Sequence, residues 1–317
     1  MIPSTFDNNP VCRIFGINYP IIAGGMIWCS GPELAAAVSE AGGLGLLGSG
    51  SMRPDDLRAN IRKVKTLTNK PFGVNIPIST NKYSEANIQV VLEEKPPVVV
   101  TSAGNPKTYT KLLKDAGMTV AHVVSSSKFA RKAEEAGCDA IIAEGFEAGG
   151  HNGREETTTM CLIPAVCDTV RTPVIAAGGI ASGRAMAAAF CLGAVGVQVG
   201  TAFALSEESA AHPDFKNYCL TLGEGDTMLM YKKVSPTRLV KGGYFDLIKE
   251  AEDRGASADE LREIKGTGRA RQGIALGNLT EGELEIGQAA AQIREIRPAA
   301  AILTSLISEY QSIANYV

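Results

Sequence analysis

Residues that build metal centres are scarce in this 317-residue chain, which has three histidines and seven cysteines with no Cys-x-x-Cys pair. The cysteines (Cys12, Cys29, Cys138, Cys161, Cys167, Cys191 and Cys219) are odd in number and widely scattered. That pattern argues against a disulfide framework or a zinc site and reads as reduced thiols, most of them buried, in a cytoplasmic protein. No H-E-x-x-H, P-loop or G-x-S-x-G motif occurs, which sets aside the chemistries those motifs carry. No uninterrupted apolar run is long enough to cross a bilayer, since AAAVSEAGGLGLLG is broken by Ser39, Glu40 and several glycines. The opening MIPSTFDNNPVCRIFG lacks the basic start and apolar stretch of a secretory leader. A net charge of -3 gives no global reason to expect a nucleic-acid or membrane partner.

What the chain does have is rhythm. Its composition, 45% hydrophobic and 21% charged, suits a globular protein with a large core. Eight short apolar runs recur, most of them 20 to 30 residues apart: YPIIAG (19–24), LGLLG (44–48), FGVNIP (72–77), PVVVTS (97–102), TVAHVV (119–124), DAIIAE (139–144), PVIAAGG (173–179) and VGVQVG (195–200). Between them lie helical patterns such as KLLKDAG, ARKAEEAG and AMAAAFCLG, each closed by a glycine suited to a left-handed cap. Alternating strands and helices imply parallel strands joined by crossovers, and the lack of polar alternation implies strands covered on both faces. Eight such units predict an α/β fold, a (β/α)8 TIM barrel, with an open doubly wound sheet as the rival. GLGLLG (43–48) matches the letters of a dinucleotide fingerprint, but it follows a helix and is itself the strand. GTGRARQG, near residue 270, has no strand before it. Past about residue 205 the rhythm stops. Residues 206–285 read as an irregular cap or entrance region, in which 248–265 look helical and heavily charged, and 286–317 as terminal helices, a smaller C-terminal helical and loop appendage on one domain.

Barrel chemistry gathers at the C-terminal ends of the strands. Those positions hold Gly24, Gly25 and Met26; Asn75; Ser102; Glu144, leading to Gly150 and His151; Gly178, Gly179 and Ile180; and Gly200 with Thr201. The last two turns, PVIAAGGIASG and VQVGTAF, resemble the phosphate cradle of many barrels, where glycine lets an anion approach backbone N–H groups. Ser182 and Gly183 would open the next helix there, and no acidic side chain is expected to crowd either turn. The plainer alternative is that these glycines only make tight turns. An amide, hydroxyls and open backbone at the other strand ends suit a phosphorylated flat heterocycle such as FMN better than a metal, for which no ligand cluster is found. Among the histidines, His122 reads as a packed residue or a support for the site, and His212 as part of a loop or helix end. His151, on a glycine-rich loop past a strand end, reads as a catalytic or substrate-polarising group. Glu144 reads as a hydrogen-bond acceptor for a ligand or a neighbour, and Glu147 as a residue that can simply face solvent.

The segments YPIIAGGM, AGGLGLLGSG, KPFGVNI, AGNP, AEGFEAGGHNG, PVIAAGGIASG and VQVGTAF, in that order, resemble the nitronate monooxygenase superfamily of FMN-dependent barrels. Within it they look most like the flavin-dependent enoyl-acyl-carrier-protein reductases of the FabK type. The likeness covers residues 13–216 well, and Gly277–Gln288 is similar to the family's C-terminal stretch. It implies FMN held by Gly24, Gly25, Met26, Asn75, Glu144, Gly178, Gly179, Gly200 and Thr201, with His151 as the active-site histidine. It also implies NADH or NADPH as co-substrate, an enoyl thioester on an acyl carrier protein as substrate, and a homodimer. Nitronate oxidation and NAD(P)H:quinone reduction are the alternatives on this scaffold, and a non-redox phosphate-ligand barrel is the alternative from another class. Where many relatives have glutamine before GGM, this chain has Ala23. An acidic carrier needs a basic dock, for which Lys232, Lys233, Arg238 and Lys241, or Arg269 and Arg271, are the candidates in the sequence, with an ordinary solvated face as the favoured alternative for each cluster.

Overall fold

A computed structural model describes residues 5–314. Residues 1–4 and 315–317, the outermost parts of the opening segment and of the terminal helices read above, lie outside the described residues. Each of the eight apolar runs contains a strand. In chain order these are β1 (Ile21–Ala23), β2 (Gly45–Gly48), β3 (Phe72–Pro77), β4 (Val98–Ser102), β5 (Thr119–Val124) and β6 (Ala140–Glu144), followed by a two-residue β7 (Gly150–His151), then β8 (Val174–Ala177) and β9 (Gly196–Val199). Without β7 they form one all-parallel sheet in the order β1-β9-β8-β6-β5-β4-β3-β2. A parallel bridge between Ile22 and Leu44 closes β1 onto β2, with Ala23 N donating to Leu44 O at 2.9 Å. Closure removes both sheet edges, so the fold is the (β/α)8 barrel and not an open doubly wound sheet.

The strands are buried along almost their whole length because helices cover them outside and their own side chains fill the inside. The helices are α1 (Pro10–Phe15), α2 (Pro32–Glu40), α3 (Pro54–Leu67), α4 (Ser84–Glu94), α5 (Thr110–Asp115), α6 (Ser127–Glu135), α7 (Thr159–Cys167), α8 (Gly183–Cys191), α9 (Thr201–Ala204), α10 (Pro213–Cys219), α11 (Tyr244–Asp253), α12 (Ala258–Lys265) and α13 (Ala299–Ala314). The predicted glycine stops are present: Gly42, Gly117, Gly137 and Gly193 each follow a helix at positive φ. At the N-terminal end of the barrel, Asn9 accepts from Val11 N and Cys12 N to start α1, and its Nδ2 donates to Val195 O at 2.7 Å.

The segment read as irregular has more order than its sequence suggested. A hairpin of β10 (Thr227–Met230) and β11 (Thr237–Val240) pairs antiparallel, and β11 continues onto β7 to make a three-stranded sheet. Helices α11 and α12 pack over it through Tyr231, Tyr244, Phe245, Ile248 and Leu261. Only one face of the hairpin meets these helices, and the turn YKKVSP between its strands is charged. The strand signal was therefore diluted. This cap stands over the C-terminal mouth of the barrel.

The terminal helix α13 lies against α8 at very short range. A methyl group on Gly183 would come within 2.3 Å of Tyr310 N and 2.6 Å of Leu306 O. Gly183 N donates to Glu309 Oε2 at 2.6 Å, and Arg184 pairs with Glu309 at 2.9 Å. Gly183→Ala would push α13 off α8. We expect a loss of roughly 2–3 kcal/mol and a melting temperature lower by several degrees. An unchanged melting curve would mean that α13 does not pack as described.

Candidate functional site

The strand ends enclose a cavity of about 940 Å³. Gly24, Gly25, Met26, Asn75, Ser102, Glu144, Gly150, His151, Gly178, Gly179, Ile180, Gly200 and Thr201 all line it, so every candidate from the sequence shares one space. The same wall carries residues that the sequence did not single out for the site, notably Gln198, Lys265 and Glu285.

On the β1 side, Ser30 Oγ donates to Gly24 O at 2.7 Å and accepts from Met26 N at 3.1 Å, which pins the Gly24–Met26 turn. Asn75 Nδ2 donates to Val100 O at 3.2 Å and Ser102 Oγ at 3.3 Å, leaving its oxygen toward the cavity wall. His122, buried on β5, also lines the cavity and places Nδ1 2.7 Å from Thr101 Oγ1. Burial lowers its pKa to about 4. It is thus at once a packed residue and part of the wall.

At the phosphate-like turns, Gly178 and Gly179 have φ of 93° and 72°, a conformation that side chains resist. Two expectations need correction here. The start of α8 is not open to an anion: Ser182 Oγ accepts from Ala185 N at 3.2 Å, and Glu309 takes Gly183 N. Nor is Glu147 a solvated residue, since its stem packs 3.4 Å from where a Gly179 methyl would lie. Its carboxylate accepts from Thr159 N and Thr159 Oγ1, both at 2.9 Å, and so caps α7. These acids approach the turns because the two helix starts need acceptors for their N–H groups. Their charge is spent there. Thr201 Oγ1 accepts from Gly287 N at 3.2 Å, and its O–H remains able to donate into the cavity.

His151 is set by the cap. Its backbone pairs with Thr237, and Gly150 pairs with Arg238. Gly150 sits at φ 73°, and a methyl group on it would come within 2.4 Å of Glu285 Oε2, so both conformation and space require glycine. The loop that carries His151 is tied to the cap repeatedly. Asn152 N donates to Pro236 O at 2.9 Å, and Arg154 donates to Lys232 O at 3.0 Å and Val234 O at 2.7 Å. Arg238, fully buried, donates to Phe146 O through Nη2 at 2.7 Å and Nε at 3.2 Å, with its guanidinium 4.4 Å from the Phe146 ring centre.

The electrostatics follow from a partly dry pocket. His151 lines the cavity and keeps exposed surface, with many protein atoms gathered around it. Desolvation, helped by the positive charge of Lys265, lowers its pKa to about 4, so the ring is neutral near pH 7. Desolvation also raises Glu144 to about 7. Glu285 rises to about 8, through desolvation first and then repulsion from Glu283, with Lys265 opposing.

The basic clusters considered as a carrier dock are largely engaged within the cap. Arg238 is interior, Lys232 pairs with Glu156 at 2.6 Å, Lys233 Nζ donates to Ala256 O at 2.7 Å, and Arg269 pairs with Glu281 at 3.2 Å. Lys241 and Arg271 are exposed, one from each cluster.

Among the described residues no group of three or more His, Cys, Asp or Glu side chains could hold a metal ion, and no helix is long and apolar enough to cross a membrane. The cysteines are free, with Cys161 and Cys191 exposed. A flat, hydrogen-bonding cofactor fits the cavity better. Gln198 Oε1 is buried without a hydrogen-bond partner on a residue that lines it, so an acceptor awaits a ligand N–H. Ala23, by contrast, is fully buried in β1 outside the lining, and the amide beside it in the wall is Gln198 on the neighbouring strand.

The family model described as nitronate monooxygenase matches residues 8–87 and 77–309. The chain belongs to that family, whose members are FMN-dependent oxidoreductases, and it is an oxidoreductase. It is 43% identical to FabK from Thermotoga maritima over 98% of both chains, with a TM-score of 0.93. It is 30% identical to a probable nitronate monooxygenase of Staphylococcus aureus over 98% of this chain and 99% of that one. It is 39% identical to the (3aS,4S,5R,7aS)-5-hydroxy-7a-methyl-1-oxo-octahydro-1H-indene-4-carboxyl-CoA dehydrogenase of Rhodococcus jostii over 69% of this chain, and spans 62% of that relative's length.

Two titrations test the electrostatics. A carboxyl with a raised folded pKa keeps its proton longer than in the unfolded chain, so stability falls as pH climbs from the ordinary carboxylate range to about 7. Glu144→Gln should therefore match wild type at pH 4 and exceed it at pH 8 by roughly 1–2 kcal/mol in melts of cofactor-free protein. An equal difference at both pH values would contradict the burial described. Lys265→Met should raise the NMR titration midpoint of His151 modestly, because a nearby cation disfavours imidazolium.

Proposed function

We propose that the protein reduces the carbon–carbon double bond of 2-enoyl thioesters carried on an acyl carrier protein, with FMN in the barrel mouth and NADH or NADPH as reductant. The observation that carries this reading is the likeness to FabK over 98% of both chains, cap included. The cap is the part that holds His151 and closes the cavity.

In this reading FMN is held by the Gly24–Met26 turn, Asn75, Gln198, Gly178–Gly179 and Gly200–Thr201, and when bound it supplies hydride transfer. The protein's own work is alignment and charge stabilisation. As reduction at the β-carbon proceeds, negative charge gathers on the thioester oxygen. A neutral imidazole is a poor acid but a good hydrogen-bond donor, so His151 offers N–H to that oxygen instead of a full proton, and the α-carbon of the resulting enolate takes its proton from water at the cavity mouth. Lys265 adds a positive charge on the same wall. The glycines around His151 leave a flat approach for an extended acyl chain, and a cavity of about 940 Å³ has room for a ring cofactor and a substrate together.

Nitronate oxidation is the second reading, favoured by the family model and by the Staphylococcus aureus relative. There His151 would bind a small anion, and O₂ would replace the nicotinamide.

The purified protein should be yellow. Under anaerobic conditions NADH should bleach it and a crotonyl thioester should restore the colour. No bleaching by NADH, together with bleaching by propyl-2-nitronate, would overturn the enoyl reading in favour of the second. His151→Ala should keep its flavin and lose about 10²- to 10³-fold in enoyl turnover, whereas near-wild-type turnover would remove His151 from its assigned role.

A further inference from the structure

The rim of the cavity carries a feature that neither the site nor the sequence motifs use. The first turns of α6, SKFARK, follow directly on β5 and so stand at the barrel mouth. Lys128, Arg131 and Lys132 are all exposed there. Spacings of three and four put them on one helix face. Their side chains make no ion pair or hydrogen bond among the described residues. Nearby acids are engaged elsewhere: Glu134 accepts from Arg171 N and Thr172 N, Glu135 pairs with Lys107, and Glu155 accepts from Ser125 Oγ. Between the cations sits Phe129, a large apolar ring that is 40% exposed, with Lys132 Nζ 5.6 Å from its centre. Phe129 and Lys132 also line the cavity, so the patch runs without a break into the site.

Three unpaired cations on one turn are unusual in a chain whose acids outnumber its bases by 34 to 31. An exposed aromatic beside arginine and lysine, at the end of the barrel that carries the strand-end site, has the make-up of an interface centre. The geometry points to the Lys128–Lys132 face of α6 as the docking surface for an acidic acyl carrier protein, whose thioester arm then enters the cavity past Phe129. This deepens the enoyl-thioester reading and rests on it for the choice of carrier. Long-range attraction to an acidic surface would speed encounter, and the ring would exclude water at the centre of contact. The dock is thus placed on a barrel helix and not on the cap clusters that the sequence offered.

The test is binding first, then turnover, on the full-length flavoprotein. Fluorescently labelled crotonyl-acyl carrier protein should bind wild type, with affinity falling as salt rises. The double variant Lys128→Glu/Arg131→Glu should weaken binding about tenfold or more, and Phe129→Ala should weaken it with no change in salt dependence. The double variant should keep wild-type flavin content and wild-type KM for crotonyl-N-acetylcysteamine. Unchanged carrier affinity in the double variant would overturn the proposal. So would an equal rise in KM for crotonyl-CoA, because the patch would then recognise nucleotide phosphates. If wild type binds the carrier through these residues but reduces no thioester, the dock stands and the enoyl reading falls.

Discussion

The site depends on one short backbone pairing, in which β11 of the cap adds Thr237 and Arg238 alongside His151 and Gly150. A barrel alone delivers the strand ends but leaves the glycine-rich loop after β6 without a fixed course. Two residues of ladder, a buried guanidinium on Phe146 O and the Arg154 contacts to the cap turn that loop into a wall. Arg238 has only carbonyls, a hydroxyl and an aromatic face as close partners, and its charge is balanced at longer range by Glu147 and Glu156. Such a group tolerates little change, since removing its acceptors would strand a charge in the interior.

Enclosure then sets the chemistry. The same desolvation acts on four side chains, two basic and two acidic. It keeps His151 and His122 neutral and pushes Glu144 and Glu285 toward their protonated forms. The wall of the cavity therefore carries little negative charge near pH 7, while Lys265 and, at the rim, Lys132 bring positive charge to it. Such a pocket receives a hydride acceptor that becomes anionic better than a pocket of fixed negative charge would. The carboxylates of Glu147 and Glu309, outside the lining, cap helices.

Family likeness and local geometry bear on different questions. The fold and the oxidoreductase class follow from matches that span almost the whole chain. The substrate turns on what reaches the mouth, which is a matter of rim charge. Lys128, Arg131 and Lys132 stand free there on one helix face, while Lys232, Lys233 and Arg269 of the cap are tied to Glu156, a backbone carbonyl and Glu281.

The barrel was legible from sequence because its signals are local. Buried strands are short apolar runs, crossover helices end in glycine, and a TIM barrel puts chemistry where each run stops, so the residues gathered around the cavity could be read off one by one. Ser30, Gln198, Lys265 and Glu285 were not, because nothing local distinguishes a serine that pins a turn or a lysine that lies over the Tyr231 ring in the cavity wall. The same holds for Arg238, which beside Lys232 and Lys233 looked like surface charge and is interior. Period and punctuation in the chain determined the strands, their order and the end that carries the site. Which acids cap helices, which cations stay free and how dry His151 becomes were decided only by tertiary structure, because each depends on groups brought together from distant parts of the chain.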